Sequence, residues 1–156
     1  MYKRQELIEA FNRFVTSVDN ARLYILGDGP LRQELIDQIK SLNIADKVFL
    51  MGHEKNPFQL LSEAQFFILT SEYEGQPMVL LEAMALGVPV GATNIPATQF
   101  VLQNGRLGIL AQSNNVEGIE NMLIKAYNEK VQPATFNAQE YNKNAIKMFY
   151  KQIEEV

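Results

Sequence analysis

Apolar residues recur along this chain with two different periods, and the stretches carrying them alternate. Over residues 5–18, Leu7, Ile8, Phe11, Phe14 and Val15 fall at helical spacing and predict a first helix. A β-prone run at 22–26 follows and stops at Gly27-Asp28-Gly29-Pro30. Leu31, Leu35, Ile36, Ile39 and Leu42 then line one face of a second helix, and 48–51 is the next strand, ending at Gly52. Asn56-Pro57 opens a helix through Phe58, Leu60 and Leu61, with Asn56 as its cap and Pro57 at its first position. Residues 65–70 form a strand with almost no polar residue inside, as expected when both faces are covered. Residues 78–86 form a strongly apolar helix closed by Gly87. Two more short strands, 88–91 and 107–110, flank a short helix over 96–102. Helices over 116–127 and 138–153 close the chain, joined by a linker at 128–137 that carries Pro133.

Strand and helix therefore alternate throughout. Parallel strands need crossover connections, so the pattern predicts an α/β fold: a Rossmann-like parallel sheet with helices on both faces. There is no internal repeat, and residues 1–156 read as a single domain. The chain opens on a helix, whereas doubly wound domains usually open on a strand, so a first strand is expected to precede it.

In open α/β sheets ligands bind beyond the carboxyl ends of the strands. Three loops fall there, at 27–30, 52–56 and 71–77. In the last, an apolar strand runs into Ser71-Glu72-Tyr73-Glu74-Gly75-Gln76-Pro77 and then into a helix. The backbone N–H groups at that helix start, around Met78 and Val79, suit an anion such as a diphosphate. Gly75 would let a ligand approach the backbone. Glu82 lies one turn further in, with Met78, Val79, Ala85 and Leu86 at i±3 and i±4. A carboxylate on so apolar a stripe must be paired, solvated in a cleft, or bonded to a ligand. Its height suits two vicinal hydroxyls of a ribose; the ordinary alternative is a Glu facing water at the domain edge.

Composition narrows the classes. Hydrophobic residues make up 47% and charged residues 21%, which argues against disorder. A formal net charge of −4 argues against a general nucleic-acid binder, so a phosphate ligand would be held by local dipoles and a few cations. The absence of cysteine removes disulfides and thiolate metal sites and fits a reducing, cytoplasmic setting. The single histidine, His53, removes a metal site built from several imidazoles, and its ordinary reading is a solvated loop residue at the cleft rim. No apolar run approaches the roughly 20 residues of a membrane span. Asp28 is expected to cap the helix starting at Pro30 or Leu31, and Glu72 reads as a surface charge. Lys143, Lys147 and Lys151 form a basic helical stripe, ordinarily a solvated face and more weakly a contact with an anionic membrane.

Two glutamates eight positions apart, Glu74 and Glu82, within Ser71-Glu-Tyr-Glu-Gly-Gln-Pro-Met-Val-Leu-Leu-Glu-Ala-Met-Ala-Leu-Gly-Val-Pro-Val90, resemble the signature of retaining GT-B glycosyltransferases of family 4. Gly27-Asp28-Gly29-Pro30, the stretch from Lys47 to His53, and Thr93 through Gly108 resemble further parts of that family, in its order. The resemblance covers residues 5 to 130 and implies the C-terminal, donor-binding domain of a GT-B enzyme. It further implies a nucleotide-diphospho-sugar as substrate, most often UDP-linked, transferred with retention and without a metal or cofactor. By position, Glu74 would contact the donor's sugar and Glu82 its ribose. Backbone N–H groups of Gln76, Met78 and Val79, around Pro77, would hold sugar and diphosphate, with Ser71 and Gly75 beside them. Met51, Gly52 and His53 would receive the base, and Gly27, Asp28 and Gly29 would line the cleft. An N-terminal acceptor domain would complete the enzyme, and this domain alone would bind donor weakly and catalyse little.

The chain departs from that pattern in places. The strand bearing the family's usual Arg is absent. Near the position of its usual Lys stand Lys3 and Arg4, with Tyr2 the nearer match in register. Gln76 stands where relatives carry Phe, Phe100 where a Glu is common, and Gln65 where Asp is usual. Two other classes share much of this description: half of a GT-B sugar-nucleotide 2-epimerase, which would be expected to use more carboxylates and histidines, and a non-catalytic nucleotide-sugar-binding module.

Overall fold

The computed structural model describes the backbone of residues 3–154 and the side chains of residues 3–147; the register match at Tyr2 and the Lys151 end of the basic stripe lie outside the described side chains. The elements run α1 (Lys3–Phe14), β1 (Leu23–Leu26), α2 (Arg32–Ser41), β2 (Val48–Gly52), α3 (Pro57–Ser62), β3 (Phe67–Leu69), α4 (Met78–Ala85), β4 (Val90–Ala92), α5 (Pro96–Val101), β5 (Ile109–Leu110), α6 (Val116–Asn128) and α7 (Ala138–Glu154). Every strand pairing is parallel. The predicted α/β architecture is therefore present, with one difference. The strands form two sheets, β1-β2 and β3-β4-β5, rather than one.

The apolar periodicities account for two cores. Leu7, Ile8, Phe11 and Phe14 of α1 pack with Leu23 and Ile25 of β1, Leu35 and Ile39 of α2, and Ile119 of α6. Leu80, Leu81, Ala83 and Met84 of α4 pack with Val90 and Ala92 of β4 and Val101 of α5. Alternation along β3 ties the two together: Ile68 packs on the first core, Phe67 and Leu69 on the second. Helices thus cover opposite faces of that strand.

Element ends follow local chemistry. α4 stops in a Schellman arrangement, with Gly87 at φ +72°, its N–H on Met84 O (3.1 Å) and Val88 N–H on Ala83 O (3.0 Å). α1 ends at Phe14, earlier than its apolar stripe suggests, because i→i+3 bonds from Thr16 and Ser17 tighten the chain into a turn. Val15 and Val18 stay buried within it. Asn115 caps α6 by accepting Gly118 N–H at 2.9 Å. Residues 129–137 carry no helix or strand, as the linker reading expects.

Three local expectations are corrected. Asn56 stands at the α3 N-cap but its side chain makes no capping bond; the Glu54 carboxylate takes Asn56 N–H instead, at 3.4 Å. Asp28 does not cap α2, which starts at Arg32 behind Leu31; its carboxylate instead accepts the adjacent Gly29 N–H at 2.9 Å. Phe67, Ile68 and Leu69 are each only half-buried, so β3 is not covered as its apolar sequence suggests.

Candidate functional site

The loops that follow β1 and β3 open onto a common groove of about 1430 Å³. Gly27, Asp28 and Gly29 line it from one side, Ser71, Glu72, Glu74 and Val79 from the other, and Lys3 and Arg4 from the start of α1. A smaller cavity of about 510 Å³ lies between the Asn104–Leu110 loop and the end of α6 and shares no residue with the groove.

The loop after β1 is built around Gly27. Its φ of +88° is a left-handed conformation that side chains disfavour, and a Cβ there would come within 2.8 Å of the Arg4 guanidinium. Gly27 N–H donates to Gly52 O at 2.7 Å, which joins this loop to the end of β2. Gly52, also left-handed at φ +66°, is thereby brought to the site's edge. Met51 and His53 are exposed beside it and make no side-chain hydrogen bond among the described residues. Neither lines the groove.

The loop after β3 is held from below. Buried Thr93 donates its hydroxyl to Ser71 O at 2.5 Å. Ser71 in turn donates its hydroxyl to Glu74 Oε1, also at 2.5 Å, which fixes the carboxylate at the groove wall. Thr98, fully buried, donates to Thr93 O at 2.6 Å and accepts Ile95 N–H, so the turn into α5 supports the same loop.

Pro77 is the α4 N-cap residue, one place before the first helical position. Met78 N–H folds back onto Gln76 O (2.8 Å) and Leu80 N–H onto Pro77 O (3.0 Å). Met78 is therefore less free than the helix start suggested. Among the described residues, no intrachain bond takes the N–H of Gly75, Gln76 or Val79. Space beside Gly75 is open, with nothing within 4 Å of where a Cβ would stand. Glu82 is half-buried one turn into α4, and among the described residues its carboxylate has neither an ion-pair nor a hydrogen-bond partner. Gly75, Gln76, Pro77, Met78 and Glu82 adjoin the groove through the chain rather than lining it.

Sequence reasoning set Lys3 and Arg4 near the family's usual Lys without assigning them to the site, and the fold places both at the groove. Lys3 is buried, 8% exposed, where three segments meet. Its ammonium donates to Asn114 O (2.6 Å) and Glu6 (2.7 Å) and lies 3.3 Å from Glu72. Burial pulls its pKa down, but the hydrogen bonds and charges of Glu6 and Glu72 outweigh this and hold it above 10.5. Glu72 is thus a paired residue rather than a free surface charge. Arg4 donates to Leu26 O (3.0 Å) and Gly27 O (3.4 Å). Asn94 and Asn114 exchange hydrogen bonds at 2.6 and 3.0 Å, holding the loops after β4 and β5 together. The apolar spacing of α1 was legible; that its first turn reaches the carboxyl ends of the strands depends on tertiary placement. No group of three or more His, Cys, Asp or Glu among the described residues stands where it could hold a metal ion. No described helix is long and apolar enough to cross a membrane.

Residues 2–148 match the family model described as glycosyl transferases group 1. The N-acetyl-alpha-D-glucosaminyl L-malate synthase of Bacillus anthracis is 36% identical over 121 residues, covering 78% of this chain and 32% of that protein. S. aureus TarM, solved in complex with UDP, superposes with a TM-score of 0.75 at 26% identity, over 82% of this chain and 26% of its own. Anabaena Alr3699/HepE, also solved with UDP, superposes with a TM-score of 0.78 at 20% identity, over 96% of this chain and 46% of its own, a likeness of fold. The chain thus spans less than half the length of each of these proteins.

Proposed function

The chain belongs to the glycosyl transferases group 1 family, and from that premise we propose that it is the donor-binding domain of a GT-B enzyme that transfers a sugar from a UDP-linked donor to an acceptor with retention. The observation that carries the reading is the start of α4. Among the described residues the N–H groups of Gly75, Gln76 and Val79 gather there without a partner, and a carboxylate without one, Glu82, stands one turn deeper on an apolar stripe. Amide donors at a helix start suit an anionic diphosphate. A lone half-buried carboxylate suits neutral hydroxyl donors such as those of a ribose. UDP is the nucleotide held in the TarM complex, which supports a uridine donor here.

Each residue then has a task. Glu74, fixed by Ser71, accepts from the donor's sugar hydroxyls. Arg4 places positive charge beside the groove, and with the α4 amides it stabilises the charge that builds on the departing diphosphate, while Lys3 is neutralised by Glu6 and Glu72 and fastens the loop. The loops at Gly27 and Gly52 form the wall toward the base. The acceptor binds on a further domain of the whole enzyme, which works in the cytoplasm.

Calorimetric titration with UDP, UDP-glucose, UDP-N-acetylglucosamine and GDP-mannose tests this, alongside Glu82→Ala. Saturable binding of the uridine nucleotides is expected. Removing Glu82 should weaken it about 10-fold or more, since a hydrogen bond to a charged group contributes about 1.5–3 kcal/mol. Equal affinity in the variant, or preference for GDP-mannose, would contradict the assignment.

A further inference from the structure

Tyr73 carries the most exposed aromatic ring among the described residues, 88% open to solvent. The other described tyrosines each lie against a phenylalanine. Tyr24 stacks on Phe49 with ring centroids 5.0 Å apart, Tyr127 meets Phe14 at 6.0 Å, and Tyr141 meets Phe136 at 5.7 Å. Among the described residues Tyr73 has no such neighbour, and its hydroxyl has no hydrogen-bond partner. Single exposed apolar side chains are ordinary, but the stretch bearing this one is fastened on both sides. Glu72 is paired with buried Lys3 at 3.3 Å, and Glu74 accepts the Ser71 hydroxyl at 2.5 Å. Thr93 in turn holds Ser71 O from below. The ring is thus held out from an anchored stretch of backbone, and it lines the same groove as Glu74.

We propose that Tyr73 is a stacking platform for the donor's sugar: a hexopyranose lies with one C–H face on the ring while its rim hydroxyls reach Glu74. The inference rests on the donor-domain reading and fills in the sugar end of that site.

A pyranose chair presents two chemistries. Hydroxyls project around its rim, where each needs a hydrogen-bond partner, and C–H groups cover its faces, where an apolar surface fits. Glu74 supplies an acceptor for the rim. Tyr73 supplies the surface, because the face of an aromatic ring is electron-rich and sugar C–H groups are polarised positive by the attached oxygens. Consecutive Cα atoms lie about 3.8 Å apart, so one sugar can engage both side chains. Space beside Gly75 is open, with nothing within 4 Å of where a Cβ would stand, which leaves room for the sugar. Glu72 takes no part, since its carboxylate is held by Lys3. On the same reading the base lies across the groove at Gly27 and Gly52, so the platform serves the sugar and not the uracil.

The test is calorimetry on the 156-residue chain with UDP, UDP-glucose and UDP-N-acetylglucosamine, for the unaltered protein, Tyr73→Ala and Tyr73→Phe. Thermal melts confirm that each variant folds. Tyr73→Ala is expected to weaken the tighter-held UDP-sugar about 3- to 10-fold, the worth of an aromatic contact, and to leave UDP itself unchanged. Tyr73→Phe keeps the ring and should bind all three as the unaltered chain does. Undiminished UDP-sugar affinity in Tyr73→Ala would overturn the proposal. So would an equal loss for UDP and UDP-sugar, which would set the ring against the base or diphosphate, or a loss in Tyr73→Phe as large as in Tyr73→Ala, which would assign the contact to the hydroxyl. Each of these leaves the donor-domain reading standing. Failure of the unaltered chain to bind UDP would instead sink that reading, and the platform with it.

Discussion

The Lys3 ammonium lies 3.3 Å from a carboxylate oxygen of Glu72, so the first turn of α1 is fastened to the loop that follows β3. Glu72 is largely exposed while Lys3 is not, which makes the lysine the anchored partner. The same ammonium also holds Asn114 O, so one side chain ties together the loops after β3 and β5.

This anchor predicts an alkaline instability. The folded chain holds the Lys3 proton more tightly than the unfolded chain does, because its pKa is raised above 10.5. The resulting stabilisation is complete below that value and is lost as pH rises through the folded pKa. Thermal melts from pH 9 to pH 12 should show a fall that Lys3→Met lacks. At pH 7 the variant should lose about 1–2 kcal/mol, leaving Asn114 O without its donor. An unchanged alkaline limb in Lys3→Met would place the titration elsewhere.

Gly27→Ala should cost both stability and binding. Its φ of +88° and the guanidinium 2.8 Å from the added Cβ act together. The left-handed backbone and the displaced Arg4 should cost about 1–3 kcal/mol in chemical denaturation. Gly29→Ala, with nothing within 4 Å of its Cβ position, is the matched control and should change little.

Thr93→Val tests how the Glu74 carboxylate is held. Valine keeps the buried shape but removes the hydroxyl that donates to Ser71 O. The expected loss is about 1–2 kcal/mol, from a carbonyl left without its donor. Donor affinity should fall as well, because Ser71 positions Glu74. Loss of stability with unaltered affinity would show that the loop tolerates the change without moving Glu74.

What could be read from the sequence follows from range. Helices and strands were legible because their apolar periods are local, and α4 could be bounded by Gly87 because a left-handed cap leaves its mark in one residue. Glu82 stood out because its four helical neighbours are apolar, and among the described residues its carboxylate has no partner. Asn56 and Asp28 misled because a polar residue before a helix has several backbone groups to choose from, and both loops turned otherwise. Lys3 and Arg4 stood out only by their nearness to the family's usual Lys; in the residue pattern each is an ordinary charge at a helix start until the fold brings it to Glu72 or Leu26. The break between β1 and β3 left no mark in the periods of the strands themselves, since strand adjacency is a property of the assembled sheet.

The central claim is that the amino end of α4 and the glycine loops together receive a nucleotide diphosphate. Its most direct test is amide chemical-shift mapping during a UDP titration. The account predicts saturable shifts at Gly27, Gly52, Gly75, Gln76 and Val79, with Gly108 on the far side unmoved. Shifts confined to the cavity beside Gly108, or none at the five amides at millimolar UDP, would contradict it.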